Sequence, residues 1–521
     1  MPAKAWGKSI RTKRNYFHSM IICVSKHIFN FMRVYGVIFL ILLFAFILLS
    51  TNLSKPFIGQ HDWNGAFWGN LTRNYLAHFA KLTGNSNWHT LDRVHPNELV
   101  FFHHYTPLLP VLFTATSILF GFNEVSLRLL TLLLSLVMVF FIYKIGNLLY
   151  SKEVGLLASL FTLLTPMFLY YGTLTDHEPV LVPLGTAAFY FYLTFKKSEW
   201  HRIVFFMFLL LMLLESWGGY FLAAGIVIHS WVFQKNKRLS LHITVIAIGV
   251  LLFHFFSIAA IKGPQTVVDF FRYGLFRING SPDAPASAHF TFIQYITTEL
   301  RYGIIYFTRI LILLSLTWFI SLIGKKRHIS RSDISLFILF VWGISFVLVF
   351  RNLAYIHDYK LYLLLPFISL SSAYTTVSIL NYVSKRVNRK ISYLLLLMAL
   401  LGVAFERLPY LLTLKNTSFN LPGYTLGKVI AKKTKPSDKI LLISKEFDDF
   451  YGEFTRFYAN REIMGKDITF YDLEKNPHEL DDYHYCIVVK NRPIDQKVKD
   501  YLEEKYSYET IGDFTLFNSQ I

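Results

Sequence analysis

Two long apolar runs, VGLLASLFTLLTPMFLYYG (154–172) and VLVPLGTAAFYFYLTF (180–195), are joined by the polar island TLTDHEP (173–179). Each run is about long enough to cross a hydrocarbon core roughly 30 Å thick. The island places Asp176, His177 and Glu178 at the mouth of that core, where ionisable groups are costly and usually functional. Working outward, apolar runs of 16 to 22 residues recur from residue 35 to 414. With 54% hydrophobic residues, mean hydropathy +0.40, 50 Phe and 31 Tyr, the chain reads as a polytopic α-helical membrane protein with interfacial aromatic belts.

The net charge of +19 does not point to nucleic acid, because the excess Lys and Arg sits in short loops between spans. The two cysteines, Cys23 and Cys486, lie in segments of different character and support neither a disulfide framework nor a Cys-based metal site. Residues 1–34 form a basic cytoplasmic leader, and the run after it lacks a small-residue cleavage site, so it reads as a retained first span.

Topology turns on the run 107–122, which is short and holds two prolines. If it lies at the interface instead of crossing, five later loops all become cytoplasmic. These carry Lys144 and Lys152; Lys196, Lys197 and Arg202; Lys235, Lys237 and Arg238; Lys325, Lys326, Arg327 and Arg331; Lys385, Arg386, Arg389 and Lys390. The tight turns 172–178 and 215–219, which then face outside, contain no Lys or Arg. That agreement with the positive-inside rule selects the non-spanning reading. About eleven spans follow, near 35–51, 127–145, 154–171, 179–195, 203–215, 217–233, 241–261, 303–324, 333–350, 361–382 and 391–412. The amino terminus is then cytoplasmic, and the carboxyl terminus and the loop 52–126 are extracytoplasmic. From about 415 the apolar runs stop. Strand-like KILLIS, HYCIVVK and DFTLFN alternate with helix-like LPGYTLGKVIAKKT and DQKVKDYLEEKY, which predicts a small extracytoplasmic α/β domain over 415–521 beside the transmembrane domain 35–414.

Asp62, in GQHDWNGAFWGN after the first span, then shares a side with Asp176 and Glu178. The plain alternative for the island is helix capping, with Thr175 or Asp176 closing the span that begins near Pro179. Three carboxylates fit acid/base work on a hydroxyl, or they fit a hard divalent cation, Mg²⁺ or Mn²⁺; spacing does not discriminate. Arg272, Arg277, Arg301, Arg351, His357 and Lys360 lie in the external loops, with His103 and His104 before the 107–122 run. Singly they read as interfacial side chains, and as a group they would supply a phosphate site.

The ordered combination of a first-loop Asp, FFHHYTPLLPVLFTATSILFG, NEVSLRLLTLLLSL opened by Arg128, and LLTPMFLYYGTLTDHEP resembles the GT-C membrane glycosyltransferases. Within them it is most similar to protein O-mannosyltransferases and the aminoarabinose transferases of lipid A. The resemblance covers about residues 55–200 and continues more weakly at HDYKLYLLLPFISLSSAY. It implies an inverting transferase that moves a sugar from a polyprenyl phosphate to a protein hydroxyl, lipid or glycan outside the membrane. Asp62 matches the general base, Asp176 the second-loop acid, and Lys360 and Arg351 the phosphate-holding positions. Trp63 stands where O-mannosyltransferases often carry Glu, leaving Glu178 or Glu98 to substitute.

A rival lies in the same class. DHE and ESWGGYF resemble the metal-binding Asp-x-Glu and the SWGGY turn of oligosaccharyltransferases, in which Asp62, Asp176 and Glu178 would hold the metal; the WWDYG acceptor motif is absent. A transporter or lipid flippase is the alternative of a different class. It would place charges near the midplane and show repeated halves, neither of which the sequence suggests.

Overall fold

The computed structural model describes residues 36–78, 102–279, 289–324, 329–443, 449–490 and 494–519. The leader 1–34, Glu98 and the basic cluster 325–327 lie outside the described residues.

The membrane part runs α1 Gly36–Ser50, α2 Trp63–His78, α3 Leu108–Phe120, α4 Glu124–Leu149, α5 Lys152–Leu164, α6 Pro166–Tyr171, α7 Glu178–Leu193, α8 Glu199–Glu215 and α9 Gly218–Val232. It continues with α10 Lys237–Lys262, α11 Pro264–Asn279, α12 Phe292–Phe307, α13 Arg309–Gly324, α14 Arg331–Val349, α15 Arg351–Ile356, a 3₁₀ turn Asp358–Leu364, α16 Leu365–Arg386, α17 Arg389–Glu406 and α18 Leu408–Lys415. Short polar residues start many of these helices. Asn123, Ser151, Ser198 and Ser330 each accept a backbone N–H from the first turn of α4, α5, α8 and α14.

Among the described residues, five helices are long and apolar enough to cross a membrane, six if the bent pair α12–α13 counts as one; α1, α3 and α9 are shorter apolar helices. Of the eleven expected spans, 303–324 is not one straight rod. It breaks by 111° between α12 and α13, where Thr308 takes a φ of 67°. The expected spans near 154–171 and 391–412 are each divided into two helices, at Thr165 and Arg407. The disputed run 107–122 folds as the 13-residue α3, about 20 Å long and one of the shorter apolar helices. It packs on α2 and α4, buries Leu109 and Phe113 and leaves Ile118, Leu119 and Phe120 exposed.

The centre of the bundle is α4, α5, α7 and α16. α4 and α5 meet at Gly146 and Gly155, where a Cβ on Gly146 would come within 2.7 Å of the Gly155 Cα. Hydroxyls supply polar contacts between helices: Thr162 donates to Ser369 at 2.8 Å, and Ser315 pairs with Ser371 and Ser372 at 2.9 and 3.0 Å.

After α18 come α19 Leu421–Lys433, β1 Lys439–Ile443, α20 Asp449–Ala459, β2 Glu462–Lys466, α21 Phe470–Lys475, β3 Tyr485–Val489, α22 Gln496–Lys505, β4 Ser507–Ile511 and β5 Phe514–Asn518. The sheet has the order β2-β1-β3-β5-β4, with β1 parallel to β2 and β3, and β5 antiparallel to β3 and β4. Alternation along β1 sends Leu441 and Ile443 into one core with Val498 and Leu502 of α22, and Ile440 and Leu442 into another with Leu426 and Ile430 of α19. The three expected strands are present; β2 and the exposed β4 were not expected. This unit docks through α20 onto α2. Asn70 donates to the Glu453 carbonyl at 3.0 Å, and Arg73 donates to the Phe457 carbonyl at 2.6 Å.

Candidate active site

The island 173–179 enters α7 without the expected cap. The N-cap is His177, its side chain makes no capping bond, and Pro179 fits the first turn, where a missing N–H costs nothing. The Asp176 carboxylate turns instead to α2. One oxygen accepts Asn64 Nδ2 at 2.7 Å, and the other accepts Trp68 Nε1 at 3.2 Å and the His177 backbone N–H at 2.8 Å. Asn64 also donates to the Tyr359 hydroxyl at 3.1 Å, tying the first loop to the 3₁₀ turn.

Beside Asp176, Glu178 Oε1 accepts Lys360 Nζ at 2.5 Å, with the two side chains 2% and 5% exposed. The Lys360 ammonium also lies 4.7 Å from the centre of the Tyr359 ring. His177 Nδ1 lies 2.9 Å from Glu215 Oε1, both buried, while Trp68 and Tyr105 pack on the imidazole at centroid distances of 4.9 and 3.9 Å.

Of these groups, Asn64, Trp68, Tyr105, Asp176, His177, Tyr359 and Lys360 line the polar end of a cavity of about 640 Å³, and Glu178 and Glu215 do not line it. Asp176, His177, Lys360, His357, His104 and Arg277 line that end; Leu251, Phe255, Phe270, Phe271, Phe346, Phe350 and Leu353 line the rest. Helix α11, which buries none of its own residues, contributes Phe270, Tyr273 and Arg277. The Arg277 Nε donates to the Tyr273 hydroxyl at 2.8 Å, and Tyr273 stacks on His104 at 3.8 Å.

Asp62 sits elsewhere. Its Oδ2 accepts the backbone N–H groups of Ile58 and Gly59 at 3.0 and 2.7 Å, and its Oδ1 lies 3.3 Å from the Arg128 guanidinium. It lines a second pocket, of about 40 Å³, with Lys55, Arg128, Tyr170 and Lys415. The first turn of α2 is a shared wall, with Asp62 facing the small pocket and Trp63 and Asn64 the large cavity.

The structure therefore gathers Asp176, Glu178, His357, Lys360, Arg277 and His104 at one place and puts Asp62 in the small pocket on the other side of the start of α2. Arg272 does not join them; it is exposed and paired with Asp269 at 3.1 Å. Arg351 and His103 are half-buried and line neither pocket, and Arg301 is exposed over Tyr302. Two expected cationic ligands are held neutral. Burial, then His103, Arg277 and His254, push His104 down to about 3, and burial, then Lys360, His61 and Arg277, push His357 well below its usual range. The charge of Lys360 is already matched by Glu178.

The metal set expected from the oligosaccharyltransferase rival does not fit either. Asp62 is held by Arg128, Asp176 by Asn64 and Trp68, and Glu178 by Lys360. Among the described residues no three His, Cys, Asp or Glu side chains converge as a metal site.

Sequence reasoning missed Asn64, Trp68, Tyr105, Glu215, His61 and Asp358. Asp358 is buried and accepts hydrogen bonds from Tyr171 and Tyr306 at 2.7 and 2.5 Å, and its carboxylate lies 3.0 Å from His61 Nε2. The only advance signals were polar residues next to motifs already singled out: His61 before Asp62, Glu215 before SWGGY, and Asp358 before Lys360.

Residues 104–261 match the sequence family described as dolichyl-phosphate-mannose-protein mannosyltransferase. No curated protein matches the chain significantly. Among solved structures, ArnT from Cupriavidus metallidurans bound to undecaprenyl phosphate superposes with a TM-score of 0.62 at 11% identity, over 93% of this chain and 98% of ArnT. The Archaeoglobus fulgidus oligosaccharyltransferase bound to Zn and sulfate gives 0.58 at 14%, over 87% and 68%. The archaeal oligosaccharyltransferase AglB from the same organism, in complex with an inhibitory peptide and a dolichol-phosphate, gives 0.58 at 13%, over 94% and 75%. A helical membrane part, a small carboxyl-terminal sheet domain and these matches agree: the chain has the GT-C glycosyltransferase fold and, over residues 104–261, the sequence pattern of the protein mannosyltransferase family.

Proposed function

We propose that this protein is an inverting glycosyltransferase that takes a sugar from a polyprenyl-phosphate donor and passes it to an acceptor hydroxyl at the extracytoplasmic face of a cell membrane. The observation that carries the reading is the cavity of about 640 Å³, aromatic along most of its wall and charged at one end. Such a cavity suits a lipid whose chain is apolar and whose head is a sugar phosphate. Arg277 and Lys360 face the phosphate, and the aromatic wall receives the first isoprene units. The carriers bound to ArnT and AglB are lipids of this chemistry, which supports the same class here.

The acceptor approaches from the small pocket. Its hydroxyl displaces the Arg128 guanidinium from Asp62, which takes the proton as the nucleophile attacks the anomeric carbon and the C–O bond to phosphate breaks. Asp176, in the large cavity and hydrogen-bonded to Asn64 and Trp68 of α2, stabilises the positive charge that develops on the sugar ring. No metal enters this scheme.

Transfer of label from defined polyprenyl-phosphate sugars, comparing wild type with Asp62→Asn and Asp176→Asn, tests the scheme. Transfer reduced at least about a hundredfold by each substitution, and insensitive to EDTA, is expected. Undiminished transfer by Asp62→Asn removes the proposed base, and loss with EDTA favours the metal-dependent alternative.

A further inference from the structure

The charged end of the cavity is short of positive charge for a phosphate. Lys360 is matched by Glu178, and Asp176 adds a negative charge beside them. His104 and His357 are held neutral by their surroundings. Arg277 alone among the lining cations described so far carries a charge without a carboxylate partner.

His177 differs from the other two histidines in one respect. Its Nδ1 is 2.9 Å from the carboxylate of Glu215, the residue that opens ESWGGYF, and that carboxylate is fully buried. The other ring nitrogen, Nε2, is buried and has no hydrogen-bond partner among the described residues, although His177 belongs to the cavity wall. A buried polar atom without a partner in a native site calls for an explanation. A carboxyl group bonded to one ring nitrogen fixes the ring's orientation and leaves the opposite nitrogen for a ligand.

From this geometry we infer that His177 is a phosphate-binding residue of the donor cavity, donating Nε2–H to a non-bridging oxygen of the lipid phosphate, and that Glu215 is its positioning residue. The inference rests on the lipid-phosphate reading of the cavity. The charged and titratable groups around the ring are Asp176 and Glu178 on its own segment, Glu215 from α8, Tyr105 from the loop before α3, and Lys360 from the 3₁₀ turn. Of these, Glu215 is the one whose carboxylate meets the ring directly.

The test is binding of undecaprenyl phosphate to the full-length protein in nanodiscs at pH 7, read by the fluorescence of the cavity tryptophans, with uncharged undecaprenol as the control. Wild type should bind the phosphate more tightly than the alcohol. His177→Asn should weaken phosphate binding about tenfold and leave alcohol binding unchanged. Glu215→Gln keeps the shape but removes the carboxyl that orients the ring, so it should weaken phosphate binding severalfold and leave alcohol binding unchanged. His177→Gln provides a second test if the Asn variant is unstable. Wild-type phosphate affinity in His177→Asn or His177→Gln, or in Glu215→Gln, overturns the inference while leaving the lipid reading standing. Equal affinity of wild type for phosphate and alcohol overturns both.

Discussion

Replacing Lys360 by methionine keeps the length of the side chain and removes its charge, leaving the Glu178 carboxylate buried without its partner. Both groups are almost wholly inside the protein, so solvent cannot replace the lost contact. The cost is bounded by an escape route: the carboxyl can take up a proton. With an unfolded-state pKa of about 4.3 and 1.36 kcal/mol per pH unit, neutralising it costs roughly 3.7 kcal/mol at pH 7 and roughly 1 kcal/mol at pH 5. The sign follows directly. In Lys360→Met the folded-state pKa of Glu178 is raised, so stability is retained below the unfolded pKa and falls as pH rises above it. The double variant Glu178→Gln/Lys360→Met has no buried charge to neutralise and should recover most of the loss, with little pH dependence relative to wild type. Thermal unfolding of the purified protein in one detergent at pH 5, 6 and 7 measures all of this. A loss in Lys360→Met of equal size at pH 5 and pH 7, or a double variant no more stable than Lys360→Met, would refute the buried-pair reasoning.

Further outcomes follow from other parts of the structure. His104 has its pKa lowered from 6.5 to about 3, so the folded state excludes the proton that the unfolded chain accepts; its contribution is complete above pH 6.5 and shrinks as pH falls below it. His104→Phe, which keeps the stack on Tyr273, should make the decline of melting temperature between pH 6.5 and 4 shallower than in wild type. At the α2–α20 contact a Cβ on Gly69 would lie 2.4 Å from the Phe457 ring, itself under the Arg73 guanidinium. Gly69→Ala should cost about 1–3 kcal/mol and speed proteolytic release of the carboxyl-terminal segment, whereas an unchanged digestion rate would show that the contact does not hold that unit. Asp358→Asn leaves the amide beside four donors, Tyr171, Tyr306, His61 and Gln60, and should lower the melting temperature more than Asp269→Asn, which breaks only an exposed pair.

The parts of this molecule that were legible in the sequence are those written in local pattern. Apolar runs announced the membrane bundle, and short apolar strand-like runs marked β1, β3 and β5. The island TLTDHEP stood out because ionisable residues are rare beside a bilayer, and its Asp176 does line the cavity. What stayed hidden depended on partners far away in the chain. Glu178 looked like an acid free to act, but it faces a lysine 182 residues on. His357 and His104 looked like cations until burial was known. Arg272 and Arg351 lay in the expected loops but on faces turned from the cavity. The break at Thr308 had no glycine or proline to mark it, β2 (EIMGK) carries a glycine and a charge at each end, and β4 is too exposed to show a period of two. Glu215 was read only as the first letter of a turn motif, since nothing in the local sequence indicates that His177 lies against it.

The most direct measurement is turnover by purified protein in nanodiscs, following release of free polyprenyl phosphate from radiolabelled polyprenyl-phosphate sugars in the presence of hydroxyl acceptors. The account predicts release and matching acceptor labelling by wild type, with inverted anomeric configuration in the product, and near-complete loss in Asp62→Asn. Absence of turnover with every polyprenyl-phosphate sugar, or product with retained configuration, would contradict it.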